Sequence, residues 1–145
     1  MRVNAGAAGR YENGLWTPTL TFATPGDLAV AYSQRVGEYF RIGNLVILTI
    51  ALTTSSFTHT TASGSLRFTG LPFVVAAGPD FYGSLAFSGW THAASAYHAL
   101  RAVQGQSYLD VPYSQSAGGS FALGVGQMPT GGVVNMQGQV MYEAA

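Results

Sequence analysis

The strongest apolar pattern of the chain spans residues 37–53 and predicts a β-hairpin of two long strands with its turn at Gly43 and Asn44. Gly and Asn reach positive φ at low steric cost, as the two-residue turns of β-hairpins require. A two-residue loop also determines which residues lie opposite each other in the ladder. The predicted pairs are Ile42 with Leu45, Arg41 with Val46, Phe40 with Ile47, and Tyr39 with Leu48.

Both faces of this hairpin are apolar, because alternate residues of a strand point to opposite faces. One face carries Tyr39, Val46, Leu48, Ile50 and Leu52, and the other carries Val36, Phe40, Ile42, Leu45 and Ile47. A sheet with one face in water would alternate between apolar and polar residues. We therefore expect the hairpin to be covered twice, once by the second sheet of a sandwich and once by a neighbouring subunit.

Shorter stretches with a period of two predict further strands on either side of the hairpin. They cover residues 14–22, 28–32, 65–69, 81–90, 107–111, 121–125 and 133–142. Pro18 cannot donate to a ladder, so its end of the first strand is expected at a sheet edge. Residues 53–63 are predicted to be a loop. Residues 93–103 fit a helix or a strand, and we favour the strand because the surrounding elements are all β.

About ten short strands with frequent turns are typical of an antiparallel β-sandwich or jelly roll. Residues 14–145 are accordingly predicted to form a single domain, and residues 1–13, which are small and polar, a flexible N-terminal arm. Such an arm buries too little apolar surface to offset the entropy cost of ordering it. We expect it to be ordered only where another chain holds it, through Arg2, Arg10 and Tyr11.

Composition narrows the class of protein. Of the 145 residues, 48% are hydrophobic and only 8% charged, with zero formal net charge and no cysteine. So few charges are unusual for a monomer with its whole surface in water, and they favour an assembled protein. Zero net charge gives no reason to expect a nucleic-acid partner. The longest apolar run is too short to insert as a membrane-spanning helix.

Several short motifs resemble the β-sandwich domain of bacteriophage tail fibres and related virion proteins. They are residues 14–22 (GLWTPTLTF), 37–39 (GEY), 41–46 (RIGNLV), 70–73 (GLPF) and the last strand, 138–142. The resemblance covers roughly the first half of the chain and its end, and residues 74–132 match no pattern of the family. It implies a virion protein, which we expect to assemble as a homotrimer. Since Met1 stands only thirteen residues before Gly14, we expect either an excised fibre tip or a small free-standing virion protein.

Catalytic chemistry is disfavoured by the scarcity of carboxylates. A glycosidase needs two of them facing each other across a cleft, about 5–10 Å apart. Only six are present, and Asp27 and Asp80 stand beside turn residues, where capping a turn explains them better. His92 and His98 have no carboxylate cluster beside them, so neither a metal site nor any cofactor is predicted.

Binding is better supported, because aromatic residues gather in the segment outside the family pattern. Flat rings with a polar tip suit sugar rings and protein surfaces. The candidate partner-binding residues are Trp90, His92, His98 and Tyr113. Tyr97 and Tyr108 are expected to be packed inside, and Trp16 is expected in the core or in an interface.

The sequence thus predicts a non-enzymatic virion protein with two alternative roles. In the first, it is a tail-fibre tip that binds a host-surface glycan or protein receptor. In the second, it is a capsid decoration or head-spike protein fastened to other virion proteins by its N-terminal arm.

Overall fold

The computed structural model of the chain describes residues 11–91, 96–115 and 118–145, and within them every regular element is a β-strand. The strands are β1 (Tyr11–Trp16), β2 (Thr19–Thr24), β3 (Ala29–Ile42), β4 (Leu45–Thr58), β5 (Ser63–Thr69), β6 (Phe81–Ser88), β7 (Tyr97–Ala102), β8 (Tyr108–Asp110), β9 (Pro112–Ser114), β10 (Ser120–Ala122) and β11 (Asn135–Glu143). All strand pairs are antiparallel.

The central hairpin has the register that its turn predicts. All four predicted pairs, from Ile42 with Leu45 to Tyr39 with Leu48, occur in the ladder of β3 and β4. Gly43 takes a φ of 60°, in the left-handed region that favours glycine. Further from the turn, two irregularities beside Tyr32 shift the register of β3.

The strands join into one continuous curled sheet. Its order is β1-β3-β4-β11-β6-β7-β8-β5-β2, with β9 and β10 branching from β7. The first and last strands of this order are joined in the chain only by Thr17 and Pro18, so the two ends of the sheet must lie close together. Side chains of β3 close the gap: the Tyr32 hydroxyl accepts a hydrogen bond from the Leu20 backbone N–H at 2.9 Å, and Arg35 Nε donates to the Pro18 carbonyl at 2.7 Å.

An all-β antiparallel fold is confirmed. Residues 14–22 were expected to form one strand, and this is wrong, because Thr17 and Pro18 separate β1 from β2, which lie at opposite ends of the sheet order. The two separately paired sheets of a sandwich or jelly roll are not confirmed, because hydrogen bonds connect the strands along a single path. Strand order depends on contacts between residues far apart in the chain, which the period of two does not encode.

The hydrophobic core lies inside the curl. It receives one face of the hairpin (Val46, Leu48, Ile50, Leu52) together with Phe22, Phe68 and Tyr142, all of them buried. Trp16 is buried as predicted. The same side of the sheet therefore supplies apolar residues from strands at both ends of its order, which holds the curl closed.

Three local predictions need correction and one is confirmed. Tyr11–Asn13 lie in β1, paired with β3, so these three residues belong to the sheet rather than to the arm. β4 extends through residues 53–58, where a loop was expected, because β3 continues to pair with it on both sides of the two irregularities beside Tyr32. β9 was not predicted. The strand interpretation of residues 93–103 is confirmed over 97–102 by β7, and residues 93–95 lie outside the described residues.

Candidate binding surfaces

An aromatic stack leads from the core to the surface across β7, β9 and β10. Antiparallel pairing places His98 opposite Tyr113 and Tyr113 opposite Phe121. The ring centroids are 5.7 Å apart in the first pair and 5.6 Å in the second. On the core side, the Phe87 ring lies 4.3 Å from His98 and stacks on Trp90 at 4.2 Å. These five residues form the aromatic stack.

The structure brings together three of the four predicted partner-binding residues, Trp90, His98 and Tyr113. Trp90, however, is a core residue and not a contact residue. Trp90 is only 8% exposed, so its ring is part of the core and offers little contact surface. His98 and Tyr113 are half-buried. His92 lies outside the described residues. Trp90, His98 and Tyr113 therefore lie mostly beneath the protein surface and offer a partner little contact area of their own.

The opposite face of the same strands carries an open cleft. Tyr97 lies opposite Ser114, and Ser114 opposite Ser120, so one row crosses β7, β9 and β10. The cleft has a volume of about 200 Å³. Besides parts of His98 and Tyr113, its walls are Tyr82, Tyr97, Ala99, Pro112, Ser114 and Ser120. We call this the tyrosine cleft.

Tyr97 is the cleft residue that sequence reasoning missed. It was expected to be packed inside, and this is wrong, because its side chain is 79% exposed. The sequence does contain a signal for this exposure. Tyr97, Ala99 and Arg101 alternate along β7 and so share one face, and an arginine is typical of a face that points toward water. Tyr108, by contrast, is half-buried beneath the guanidinium of Arg67, which lies 4.2 Å from its ring centroid.

An ion-pair cluster lies beside the tyrosine cleft. Asp110 is almost fully buried and accepts two hydrogen bonds from Arg101, one of them from Nε at 2.8 Å. Asp80 approaches the same guanidinium at 3.5 Å. Hydrogen bonding to Asp110 raises the pKa of Arg101 above its usual range. Since Arg101 lies opposite Tyr82 in the ladder, this cluster supports one wall of the cleft.

The second large surface feature is the outer face of β1, β3, β4 and β11. Ladder pairing aligns Tyr11 with Ile42 and Leu45, and Phe40 with Ile47 and Met141, in adjacent rows. Seven large apolar side chains of this face are between 39% and 77% exposed: Tyr11, Leu15, Val36, Phe40, Ile42, Leu45 and Met141. We call them the outer apolar patch.

The predicted anchoring residues are only partly described. Arg2 and Arg10 lie outside the described residues. Tyr11 is the first residue of β1 and belongs to the outer apolar patch, with 62% of its side chain exposed.

Three carboxylates in the described ranges, those of Asp27, Asp80 and Asp110, make structural contacts. Asp27 accepts hydrogen bonds from the hydroxyl and backbone N–H of Thr60 and from the backbone N–H of Thr61, which hold the pKa of its carboxyl well below the usual range. Asp27 was expected to cap the turn beside it, but its carboxyl instead holds residues 60 and 61, which follow β4. Across the described ranges, no group of three or more His, Cys, Asp or Glu side chains is placed to hold a metal ion. Within those ranges, no helix is long and apolar enough to cross a membrane.

Comparison with known proteins identifies a likeness of fold. No protein-family model and no curated protein matches the chain. Among solved structures, the crystal structure of Dettilon tailspike protein (gp208) is similar, with a TM-score of 0.65 over 90% of this chain and 16% sequence identity. The chain spans only 23% of the length of that tailspike chain. The curled antiparallel sheet described here is therefore a fold that a tailspike protein also contains.

Proposed function

We propose that this chain is a bacteriophage tail-type structural protein that assembles with copies of itself and attaches the virion to its host. The observation that carries the proposal is the match of 90% of the chain to part of a tailspike structure. The resemblance of residues 14–22, 41–46 and 70–73 to the tail-fibre pattern is a second ground for the proposal.

Self-assembly is supported by the outer apolar patch. Its seven side chains leave on the order of 600 Å² of largely apolar surface in water, at the upper end of what monomeric proteins expose in one patch. A standard protein interface buries about 800 Å² on each partner. The patch and its polar surroundings thus match one interface in size. We propose that a second copy covers it, in a homotrimer.

A non-enzymatic role is part of the proposal. Asp110 and Asp80 both contact Arg101, and Asp27 is held by Thr60 and Thr61. A carboxylate that a guanidinium neutralises through two hydrogen bonds is poorly suited to donate a proton to a leaving group. The contacts of these carboxylates favour binding over glycoside cleavage.

Two measurements test the proposal. Analytical ultracentrifugation at micromolar concentration should give three times the chain mass of 15.2 kDa, and a monomer mass would overturn the assembly. Gold-labelled antibody against the protein should mark the tail of intact particles in electron micrographs. Label on the head would instead favour the alternative of a capsid decoration or head-spike protein, and particles without label would contradict both.

A further inference from the structure

We propose that the tyrosine cleft binds one sugar ring of a neutral surface polysaccharide, with the Tyr97 and Tyr82 rings as stacking faces. The inference rests on the proposed function, since it names the chemistry that host attachment would recognise. The resemblance to tail-fibre domains does not cover this site, because all residues of the cleft lie between positions 74 and 132.

The first argument is the exposure of the two tyrosines. Tyr97 is 79% exposed and Tyr82 is 60% exposed, and both line the cleft. The face of an aromatic ring carries negative potential, and the C–H groups on one side of a pyranose ring carry partial positive charge, so the two surfaces attract each other. A tyrosine also has only two side-chain torsions to immobilise, so it binds at low entropy cost.

The second argument is the polar lining. Ser114 and Ser120 stand in the same row as Tyr97, and their hydroxyls can each donate and accept hydrogen bonds. Sugar hydroxyls need partners of this kind. Of the described residues that line the cleft, none carries a carboxylate, an amine or a guanidinium. Nearby Arg101 is already engaged by Asp110 and Asp80. The lining therefore favours a neutral, hydroxyl-rich ligand over a charged one.

The third argument is size and support. The volume of about 200 Å³ lies below the 300–1,000 Å³ that is common for drug-sized ligands, so it suits a single ring whose neighbours in a chain stay outside. Beneath the cleft, Tyr113 packs on His98 with an interplanar angle of 22°. The aromatic stack thus holds β7 and β9 together, and little reorganisation is needed when the ligand binds.

The direct test is saturation-transfer NMR on the intact protein. The NMR probes are neutral monosaccharides: glucose, galactose, mannose, rhamnose and N-acetylglucosamine. A second assay measures binding of the protein to a printed array of bacterial surface polysaccharides. We expect at least one sugar to bind, with a dissociation constant in the roughly millimolar range for a single ring. Tyr97→Leu keeps an apolar side chain but removes the flat face, and should weaken binding about tenfold. Tyr97→Phe should stay within about twofold of the native protein.

A control is Val133→Ala, which changes an exposed apolar side chain outside both the tyrosine cleft and the outer apolar patch. It should leave sugar binding unchanged. Equal binding by Tyr97→Leu and the native protein would overturn the proposal, and so would the absence of binding to every sugar probe. A requirement for the Tyr97 hydroxyl, seen as equal losses in the Phe and Leu variants, would contradict stacking.

Attachment to bacterial cells separates this inference from the proposed function. If native protein and Tyr97→Leu attach equally, or if attachment survives periodate oxidation of the cell-surface sugars, the cleft is not the receptor site although host attachment stands. If the native protein binds sugar in solution but attaches to no strain, the cleft assignment stands and host attachment fails.

Discussion

Trp16 and Gly37 are opposite each other in the ladder of β1 and β3, and the indole lies directly against the glycine backbone. A Cβ atom placed on Gly37 would be 2.5 Å from Trp16 Nε1 and 2.7 Å from Cδ1 and Cε2 of the same ring. The indole N–H in turn donates a hydrogen bond to the Thr49 carbonyl at 3.2 Å. The absence of a side chain at position 37 therefore lets an edge-strand tryptophan turn across β3 into the core.

Replacing Gly37 with alanine should destabilise the protein by about 1–3 kcal/mol, because the indole must leave its position and overpacking of a filled site costs that much. Urea unfolding of the variant would measure the change. Gly126→Ala is a suitable control, since a Cβ there would meet no atom within 4 Å. If the two variants unfold at the same urea concentration, the close contact between Trp16 and Gly37 has no energetic consequence.

The turn at Gly43 gives a second prediction. Its φ of 60° is costly for residues with a Cβ, most of all for β-branched ones. Gly43→Val should lower the free energy of unfolding by about 1–2 kcal/mol, whereas Gly43→Asn should cost well under half of that, because asparagine tolerates this region. The comparison can be made by thermal unfolding. Similar melting temperatures for the two variants would show that the turn conformation does not limit stability.

The burial of Tyr142 predicts that the stability of the folded protein depends on pH in the alkaline range. Burial raises the pKa of the Tyr142 phenol to about 12. The hydroxyl also donates a hydrogen bond to the Phe73 carbonyl at 3.0 Å, which only the protonated form can make. In the unfolded chain the phenol ionises near pH 10. The folded state binds the proton more tightly, so this contribution is complete below about pH 10 and is lost as the pH rises toward 12.

Tyr142→Phe isolates that contribution from the other tyrosines of the chain. The variant should be less stable than the native protein at pH 8, because the Phe73 carbonyl loses its donor. Its stability should then decline less between pH 10 and pH 12. Chemical unfolding at fixed pH values measures both. Parallel stability curves for the two proteins over this range would contradict the assignment to Tyr142.

The comparison of sequence and structure shows which information is local. The register of the hairpin could be predicted because a two-residue turn at Gly43 and Asn44 leaves one alignment of the strands. The burial of Trp16 followed from alternation alone. The direction in which β7 faces could not be read in the same way, since Tyr97 and Leu100 make both of its faces look apolar. Only the arginine at position 101 distinguishes them.

The tyrosine cleft and the strand order could not be predicted from the sequence for a related reason. Tyr97, Ser114 and Ser120 form one row only because β9 pairs with β7 and β10 pairs with β9. These pairings are short, with two residue pairs between β7 and β9 and three between β9 and β10. A period of two reports the face of a residue within its own strand, but it does not report which strand lies beside it.

The outer apolar patch provides the final prediction, which concerns assembly. Phe40 and Ile42 lie next to each other on the exposed side of β3, each aligned with apolar residues of β4. A charged residue in an interface that excludes water loses its hydration without gaining a partner. Phe40→Glu and Ile42→Arg should therefore each shift the protein from the trimer to the monomer at micromolar concentration. The monomer itself should remain folded, because both side chains already point away from the core.

Sedimentation velocity would measure the mass, and far-UV circular dichroism would check the fold. Val133→Glu is the matched control, because Val133 is 55% exposed but lies outside the patch. High salt should change the native assembly little, since apolar contacts are not screened and the patch contains no ion pair among the described residues. If Phe40→Glu and Val133→Glu have the same mass as the native protein, the copies meet through a different surface.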